Sequence, residues 1–348
     1  MGRVSIRLRT VWSMPEIHGH RGARALRPEN TLPGLACALA IGVDAIEFDV
    51  TLTAGGGLIL AHDLVVSAQT TLDTAPATEG DPDFPYVGKP WTALTLPQIA
   101  TLDAGGWPPP ASFEATFAAV PGAGVPTLDQ VARLVTSLGA DAVTLAAELK
   151  TDPRWPAADV RRLTEAALET LAAHGLTCQA RILAFDWRVL RAAEAADPAV
   201  PRVALVDPET WVPGSAWLAG LDPAGYAPQP GALQPGALQS GALQSGALQS
   251  GGAQPAGPQS AGAIGCAAAA RDIGATWLSP EDSMTSADLV AAAQREGLRT
   301  VVWTVNDPAR MADLVELKAD AIVTDRPDLL RQVLADHGDK LPPPVPLS

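Results

Sequence analysis

The chain has 348 residues, of which 47% are hydrophobic and 18% are charged, so it can bury a large core and is not an intrinsically disordered chain. Its formal net charge of −14 argues against nucleic acid as a partner, because binding to a polyanion depends on Lys and Arg neutralising phosphates. Three widely spaced cysteines, Cys37, Cys178 and Cys266, argue against a disulfide framework and suit a reducing compartment.

The sequence predicts neither a secretory signal nor a membrane span. Residues 1–13 carry Arg3, Arg7 and Arg9 but no apolar segment of the kind that secretory signals contain. No apolar run approaches the roughly 18 to 20 residues that a membrane span needs. We therefore expect a cytoplasmic protein without stable membrane association, with residues 1–13 as an N-terminal tail.

Short apolar runs rich in β-branched residues alternate with longer segments of helical period along the chain, which is typical of βαβ units in a parallel sheet. The sequence predicts strands at 16–19, 45–53, 143–149, 180–185, 202–206, 275–279, 299–304 and 321–324. It predicts helices at 31–41, 127–138, 159–174, 187–196, 266–273, 285–296, 307–317 and 327–335. Eight strands alternating with eight helices favour an α/β fold of the closed (β/α)8 TIM-barrel type over an open sheet.

Two stretches interrupt this alternation. Residues 68–125, after the second strand, are rich in Pro, Gly and Thr and include Tyr86, Trp91 and Trp107, so we expect a small insertion packed on the barrel. In the second stretch the motif GALQ recurs with a period of five residues, which fits neither a helix nor a strand. We predict a flexible low-complexity loop at 227–263, within a single barrel domain that spans 14–345.

The first group with chemical potential is His20 and Arg21, followed by Glu29 at the entry to the first helix. A histidine can transfer protons, and an arginine presents a planar cationic fork that matches phosphate oxygens. The start of the helix adds free backbone N–H groups. This segment therefore favours phosphate chemistry with a candidate acid or base.

Carboxylates follow on two later strands. Glu47 and Asp49 are two residues apart on one strand and point to the same side, where they repel each other unless a cation lies between them. Glu148 and Lys150 share a face of the third predicted strand in the same way. A third carboxylate completes an oxygen-rich site for one Mg²⁺ or Ca²⁺ ion, and the lysine can neutralise a phosphate oxygen.

A second imidazole, His62, follows the apolar run 58–61 and precedes Asp63. All four groups fall at or near the C-terminal ends of successive predicted strands. That end is where a (β/α)8 barrel collects its catalytic residues. We therefore expect the groups to form one site.

Taken in order, these motifs resemble the glycerophosphodiester phosphodiesterase family. The resemblance runs from about residue 17 to 330 and includes two late segments, Trp303-Thr304-Val305-Asn306 and Thr324-Asp325-Arg326-Pro327. It implies metal-dependent hydrolysis of glycerophosphodiesters to glycerol 3-phosphate and an alcohol, with a small-molecule substrate.

The resemblance also implies a role for each group. Glu47, Asp49 and Glu148 would bind the divalent cation, and His20 and His62 would be the acid/base pair. Arg21 and Lys150 would hold the phosphate, Glu29 would support the site, and Trp303 would pack against the glycerol or the leaving alcohol. The nucleophile could be water or a neighbouring glycerol hydroxyl.

The sequence is also compatible with two other functions. One is a phosphodiesterase that acts on phosphoinositides or other phospholipid headgroups, which is disfavoured because no amphipathic or basic membrane-facing segment is present. The other is a non-catalytic barrel that only binds phosphorylated polyols, which the intact acids and histidines disfavour. We expect His18, His174 and His337 to have structural or solvent roles.

Overall fold

The computed structural model describes residues 14–227, 263–338 and 341–347. The predicted N-terminal tail at 1–13 lies outside the described residues. The predicted flexible loop at 227–263 also lies outside them, except for its two end residues.

Eight parallel strands form a closed barrel. They are β1 (Glu16–Gly19), β2 (Ala45–Leu52), β6 (Thr144–Leu149), β7 (Ala180–Ala184), β8 (Arg202–Val206), β9 (Trp277–Pro280), β10 (Arg299–Val302) and β11 (Ala321–Thr324). Each strand pairs with the next in this order, and β1 closes the ring by pairing with both β2 and β11. The predicted TIM barrel is therefore confirmed, and each of the eight predicted strands is present at its expected place.

Helices alternate with these strands as predicted. They are α1 (Leu32–Ile41), α3 (Leu128–Ser137), α4 (Ala157–Ala173), α5 (Trp187–Ala196), α6 (Gly265–Asp272), α7 (Ala287–Arg295), α8 (Pro308–Glu316) and α9 (Pro327–Asp336). Several begin with a side-chain cap: Thr31 accepts a hydrogen bond from the backbone N–H of Gly34, and Thr127 forms a reciprocal capping box with Gln130.

A short additional strand, β3 (Leu58–Leu60), pairs antiparallel with β2, with Leu52 opposite Leu58 and Val50 opposite Leu60. The chain therefore turns back beside β2 before it reaches His62. His62 was expected at or near the C-terminal end of a barrel strand, and the antiparallel pairing of β3 corrects this expectation. A hairpin return, and not the C-terminal end of a barrel strand, brings this histidine to the site.

The insertion that follows β3 has its own small core. Two short strands, β4 (Leu72–Asp73) and β5 (Leu102–Asp103), pair antiparallel, with the short helix α2 (Leu96–Ile99) between them in the chain. Tyr86 and Trp91 are buried in an apolar cluster that includes Ile59 of β3. Because β3 pairs with β2, this cluster attaches the insertion to the barrel wall.

The main core lies between the strands and the surrounding helices, and a smaller apolar cluster fills the barrel interior. Trp277 of β9 belongs to the inner cluster, and the guanidinium groups of Arg181 and Arg299 lie 4.1 and 3.9 Å from the centre of its ring. This cationic stack closes the N-terminal end of the barrel and leaves the opposite end for the acidic residues. Within the described ranges, no helix has both the length and the apolar character needed to cross a bilayer.

Candidate active site

The loop after β1 holds His20 and Arg21 in a tight turn. Arg21 has a φ of 48° and Gly22 a φ of 90°, a region that glycine adopts at little cost. A Cβ at Gly22 would lie 2.6 Å from backbone atoms of Gly34 in α1, so only glycine fits here. The backbone N–H of Arg21 donates a 2.7 Å hydrogen bond to the Glu47 carboxylate, which ties the turn to β2.

Three buried carboxylates converge at the end of strands β2 and β6. Asp49 and Glu148 are register partners across the two strands, and Glu47 is two residues before Asp49. One carboxylate oxygen from each residue lies within 4.8 Å of the others. The predicted alternation thus places all three acids on one face, inside the barrel.

Two half-buried cations, with side chains 13% exposed, lie against this acidic cluster. Lys150 Nζ lies 3.0 Å from Asp49 Oδ1 and also pairs with Glu148, and Arg21 Nε lies 3.2 Å from Asp49 Oδ2. Burial opposes the ionisation of Asp49, but Lys150 and Arg21 outweigh it and hold the pKa of Asp49 well below its usual range. Asp49 is therefore ionised at neutral pH.

Glu47 shows the opposite shift. Burial raises its pKa well above the usual value, and the charges of Asp49 and Glu148 raise it further. The two cations, Arg21 and Lys150, therefore do not fully compensate the three carboxylates. Three oxygen donors with unrelieved mutual repulsion fit a hard divalent cation of the Mg²⁺ or Ca²⁺ class.

Hydrogen bonds hold the acids and the loop together. Asn30 donates from its amide nitrogen to Asp49 Oδ2 at 2.8 Å and accepts from the backbone N–H of Asp49 at 3.1 Å. Buried Glu29 accepts from Arg21 at 2.7 Å and also pairs with Arg24. Glu29 thus orients two guanidinium groups beside the acidic cluster.

Each candidate catalytic histidine is held by a carboxylate. His20 Nδ1 lies 2.7 Å from Asp325 Oδ1, and His62 Nδ1 lies 2.8 Å from Asp63 Oδ1. An ionised carboxylate only accepts hydrogen bonds, so Nδ1 of each ring carries the proton. The Nε2 atom of each ring can then exchange a proton with a substrate. The side chain of His20 is 14% exposed and that of His62 is 39% exposed, so a substrate can reach both rings.

His62 and one member of the acidic cluster, Glu148, line the same cavity. A cavity of about 330 Å³ is lined by His62, Glu148 and Lys150 among others. His20 connects to the cluster through side chains: Asp325 lies 3.7 Å from Arg24, which pairs with Glu29. The structure thus brings seven of the nine predicted site residues into contact with one another or around one cavity, and His20 is linked to them through Asp325 and Arg24.

The ninth residue, Trp303, lies at the end of β10. Its indole N–H donates to the backbone oxygen of Ser279 at 2.9 Å, and its ring meets Phe185 edge to face at 5.5 Å. Phe185 in turn lies 5.8 Å from Lys150 Nζ. Phe185 therefore lies between Trp303 and Lys150, and Trp303 contacts the predicted site through this ring.

The sequence alone indicated no role for Asp325, Asn30 or Asp63. Asp325 lies in one of the two late segments that resemble the family, Asn30 follows Glu29, and Asp63 follows His62. Asp325 follows the last residue of β11 directly, so the strand-end criterion that selected the other groups could have found it. Nothing local in the sequence indicates that Asn30 reaches Asp49, because the two residues meet only when α1 folds back onto β2.

Comparison with known proteins identifies the family to which the chain belongs. The model of the "Glycerophosphoryl diester phosphodiesterase family" matches residues 20–236 and 242–329. "Probable glycerophosphodiester phosphodiesterase 1" of Mycobacterium tuberculosis is 34% identical over 27% of this chain and 28% of that protein. A glycerophosphodiester phosphodiesterase of Caldanaerobacter subterraneus is 36% identical over 33% of this chain and 38% of that protein. The matches thus span well under half the length of these curated relatives.

Solved structures match over a greater length. A structure from Silicibacter pomeroyi that carries the family's name is 26% identical, has a TM-score of 0.71, and covers 94% of this chain and 96% of its own. A phosphodiesterase from Oleispira antarctica, solved with the product sn-glycerol-3-phosphate, shares the fold at 20% identity, with a TM-score of 0.60 over 92% of this chain and 97% of its own. The chain belongs to the glycerophosphoryl diester phosphodiesterase family.

Proposed function

We propose that this protein hydrolyses glycerophosphodiesters to glycerol 3-phosphate and an alcohol, with one divalent cation, Mg²⁺ or Ca²⁺, held by Glu47, Asp49 and Glu148. The observation that carries the proposal is the convergence of these three buried carboxylates, with ligand atoms within 4.8 Å of one another, beside a cavity that His62 also lines. Family membership and the product bound to the Oleispira antarctica relative support the choice of substrate.

The proposal includes the organisation and location of the protein. Residues 14–345 would form one catalytic domain, with the insertion at 68–125 as part of it. A cytoplasmic location, with no nucleic acid or stable membrane partner, is supported by the net charge of −14 and by three free cysteines.

Substrate binding depends on the two half-buried cations beside the acidic cluster. Arg21 offers a planar fork and Lys150 a point charge, and both face the carboxylates that would hold the cation. When bound, the divalent cation supplies positive charge that offsets the charge developing on the phosphate. Arg21 and Lys150 then hold and orient the phosphodiester so that the phosphorus faces the histidines.

Proton transfer is assigned to the histidines. In the neutral form, with the proton on Nδ1, the Nε2 atom of one ring accepts a proton from the nucleophile, which is water or the adjacent glycerol hydroxyl. Attack by the hydroxyl would give a cyclic phosphate, which water then opens to glycerol 3-phosphate. The other ring, protonated, donates from Nε2 to the leaving alkoxide. Asp325 and Asp63 keep the two rings in the required orientation and stabilise the imidazolium that forms.

Product analysis tests the activity. We expect purified protein to release glycerol 3-phosphate from glycerophosphocholine and glycerophosphoglycerol, to lose turnover with a chelator, and to regain it when Mg²⁺ or Ca²⁺ is added back. Unchanged turnover in the chelator contradicts the metal requirement. Turnover only on substrates with intact acyl chains would favour a phospholipid-headgroup enzyme instead.

Metal binding can be measured without turnover. We expect Glu47→Gln to weaken the affinity for Mg²⁺ or Ca²⁺ alone by at least about tenfold in a calorimetric titration, because it removes a charged ligand from the cluster. Glu169→Gln, an exposed acid on α4, is the matched control and should bind as the wild type does. Equal affinity in all three proteins would rule out the proposed cation site.

A further inference from the structure

The 330 Å³ cavity beside the acidic cluster extends beyond the groups that carry the chemistry. His62, Glu148 and Lys150 form its inner end, where the phosphodiester would react. The cavity is also lined by residues that follow β7 and β8, and we call this part of the lining its outer end. A group attached to the reacting phosphate can therefore occupy this outer end without leaving the site.

Aromatic rings form part of the outer end. Phe185 follows β7 directly, and Trp217 lies in a 3-10 turn at Ala216–Leu218. Both residues are half-buried, so their rings border the space and are also reached from solvent. Aromatic faces attract a cation that lies within about 6 Å of the ring.

The loop after β8 adds two carboxylates, Asp207 and Glu209. Asp207 Oδ1 accepts the backbone N–H groups of Glu209 and Thr210 at 3.0 and 2.7 Å, which fixes the loop and leaves the second oxygen of Asp207 outside these bonds. Glu209 is exposed and, within the described part of the chain, forms no ion pair with Lys or Arg.

The other charges at this end are already compensated. Asp186 also lines the cavity, but Arg188 pairs with it at 2.6 Å. Lys150, at the inner end, pairs with Asp49 and Glu148 and lies away from the loop after β8. The outer end therefore keeps the negative charge of Asp207 and Glu209 beside two aromatic rings.

Building on the proposed function, we propose that this cavity holds the leaving alcohol and selects alcohols that carry an ammonium group. An ammonium at the outer end faces the carboxylates of Asp207 and Glu209 and the rings of Phe185 and Trp217, while an anionic headgroup is repelled. His62 lines the same cavity, so it is placed to protonate the oxygen of the leaving alcohol.

Two substrates of similar size test the preference for an ammonium group independently of the hydrolytic activity. Glycerophosphocholine has a cationic leaving alcohol, and glycerophosphoglycerol has a neutral one. We expect the wild-type kcat/KM to be several-fold higher for the choline diester at low ionic strength. Glu209→Gln should lower the ratio of the two kcat/KM values by about threefold, and Glu209→Lys by about tenfold, because an exposed charge contributes modestly.

Trp217→Leu keeps the charges of the loop but removes one of the two aromatic rings. It should therefore also lower the ratio of kcat/KM for the choline diester to that for the glycerol diester. Glu169→Gln changes an exposed acid on α4, away from the cavity, and should leave the ratio at the wild-type value. A ratio near one in the wild type, or one unmoved by all three cavity variants, overturns the inference while glycerophosphodiester hydrolysis stands. Absence of turnover on both substrates overturns the proposed function and this inference with it.

Discussion

Both candidate catalytic histidines bond through Nδ1 to a carboxylate, but the two carboxylates differ in their surroundings. Asp325 is buried, and although burial opposes its ionisation, the hydrogen bond from His20 and the charges of His20 and Arg24 lower its pKa. Asp63 is about half exposed, and the hydrogen bond from His62 is the main cause of its lowered pKa. The His20 ring is therefore the more rigidly held of the two.

Asp325→Asn tests this orientation. Asparagine can present its N–H to Nδ1 and reverse the tautomer of His20, so we expect kcat to fall by roughly 10² to 10⁴-fold, as is typical when a carboxylate that orients a catalytic histidine is neutralised. KM should change much less, because Asp325 is not placed against the phosphate. Steady-state kinetics on glycerophosphocholine give both values.

Asp328→Asn is the matched control, since Asp328 lies three residues further on and pairs with Arg326. We expect it to keep wild-type kcat. If Asp325→Asn folds normally by circular dichroism and keeps full kcat, then Asp325 does not position His20.

The loop between β1 and α1 and the β2–β3 hairpin are the elements that assemble the site. Gly22 and Asn30, at a φ of 90° and 52°, bring the loop close to α1 and β2. The hairpin returns the chain beside β2, where the backbone N–H of Ala61 donates to the backbone carbonyl oxygen of Asp49 at 3.1 Å. The loop thereby positions His20 and Arg21, and the hairpin positions His62.

Gly22→Ala should disrupt the loop. The added Cβ would lie 2.6 Å from backbone atoms of Gly34, and the φ of 90° is costly for alanine, so we expect a loss of about 2 to 4 kcal/mol in the free energy of unfolding. Activity should fall as well, because Arg21 must move. Urea unfolding and kcat/KM measure the two effects.

Gly139→Ala provides the comparison. Gly139 also has a positive φ, 61°, but a Cβ there meets nothing within 4 Å, so the expected loss is about 1 kcal/mol with activity retained. Equal losses in the two variants would show that the backbone conformation alone matters and that the contact with α1 does not.

At the scale of the whole molecule, the barrel separates two charged clusters. The acidic cluster lies at the C-terminal end of the strands, and a second cluster lies at the opposite end, where Glu16 contacts His18, Arg181 and Arg299 at 3.0, 3.2 and 2.9 Å. Burial lowers the pKa of His18, and Arg181 lowers it further, against the raising effect of Glu16 and Asp44. His18 is therefore neutral in the folded protein at neutral pH.

This shift makes stability depend on pH. The unfolded chain takes up a proton at His18 below about pH 6.5, whereas the folded protein takes it up only at a lower pH because the pKa of His18 is lowered. Stability is therefore lost as the pH falls through about 6.5, by at most about 1.4 kcal/mol per pH unit. His18→Gln removes the group. We expect the variant to be about 1 to 3 kcal/mol less stable than the wild type at pH 8, with the difference narrowing at pH 5.

Urea unfolding at pH 8, 6 and 5 measures this difference. Free energies of unfolding that remain equally far apart at all three values would show that His18 takes up its proton equally in the folded and unfolded states.

The sequence by itself determined the architecture and the candidate residues of the site. The alternation of apolar strands with amphipathic helices can be read from the sequence because the hydrophobicity of each side chain indicates whether that residue is buried. Spacing by two along a strand is equally local, which is why Glu47 and Asp49 could be assigned to one face and why Glu148 could be paired with Lys150.

Only the tertiary structure decided which groups meet across long stretches of chain. The antiparallel direction of β3, the contact of His20 with Asp325 over 305 positions, and the bond between Asn30 and Asp49 depend on strand pairing. The cavity bordered by Trp217 and Glu209 depends on it as well. Pairing direction and long-range contacts are set by packing of the whole barrel, and no local pattern of side chains encodes them.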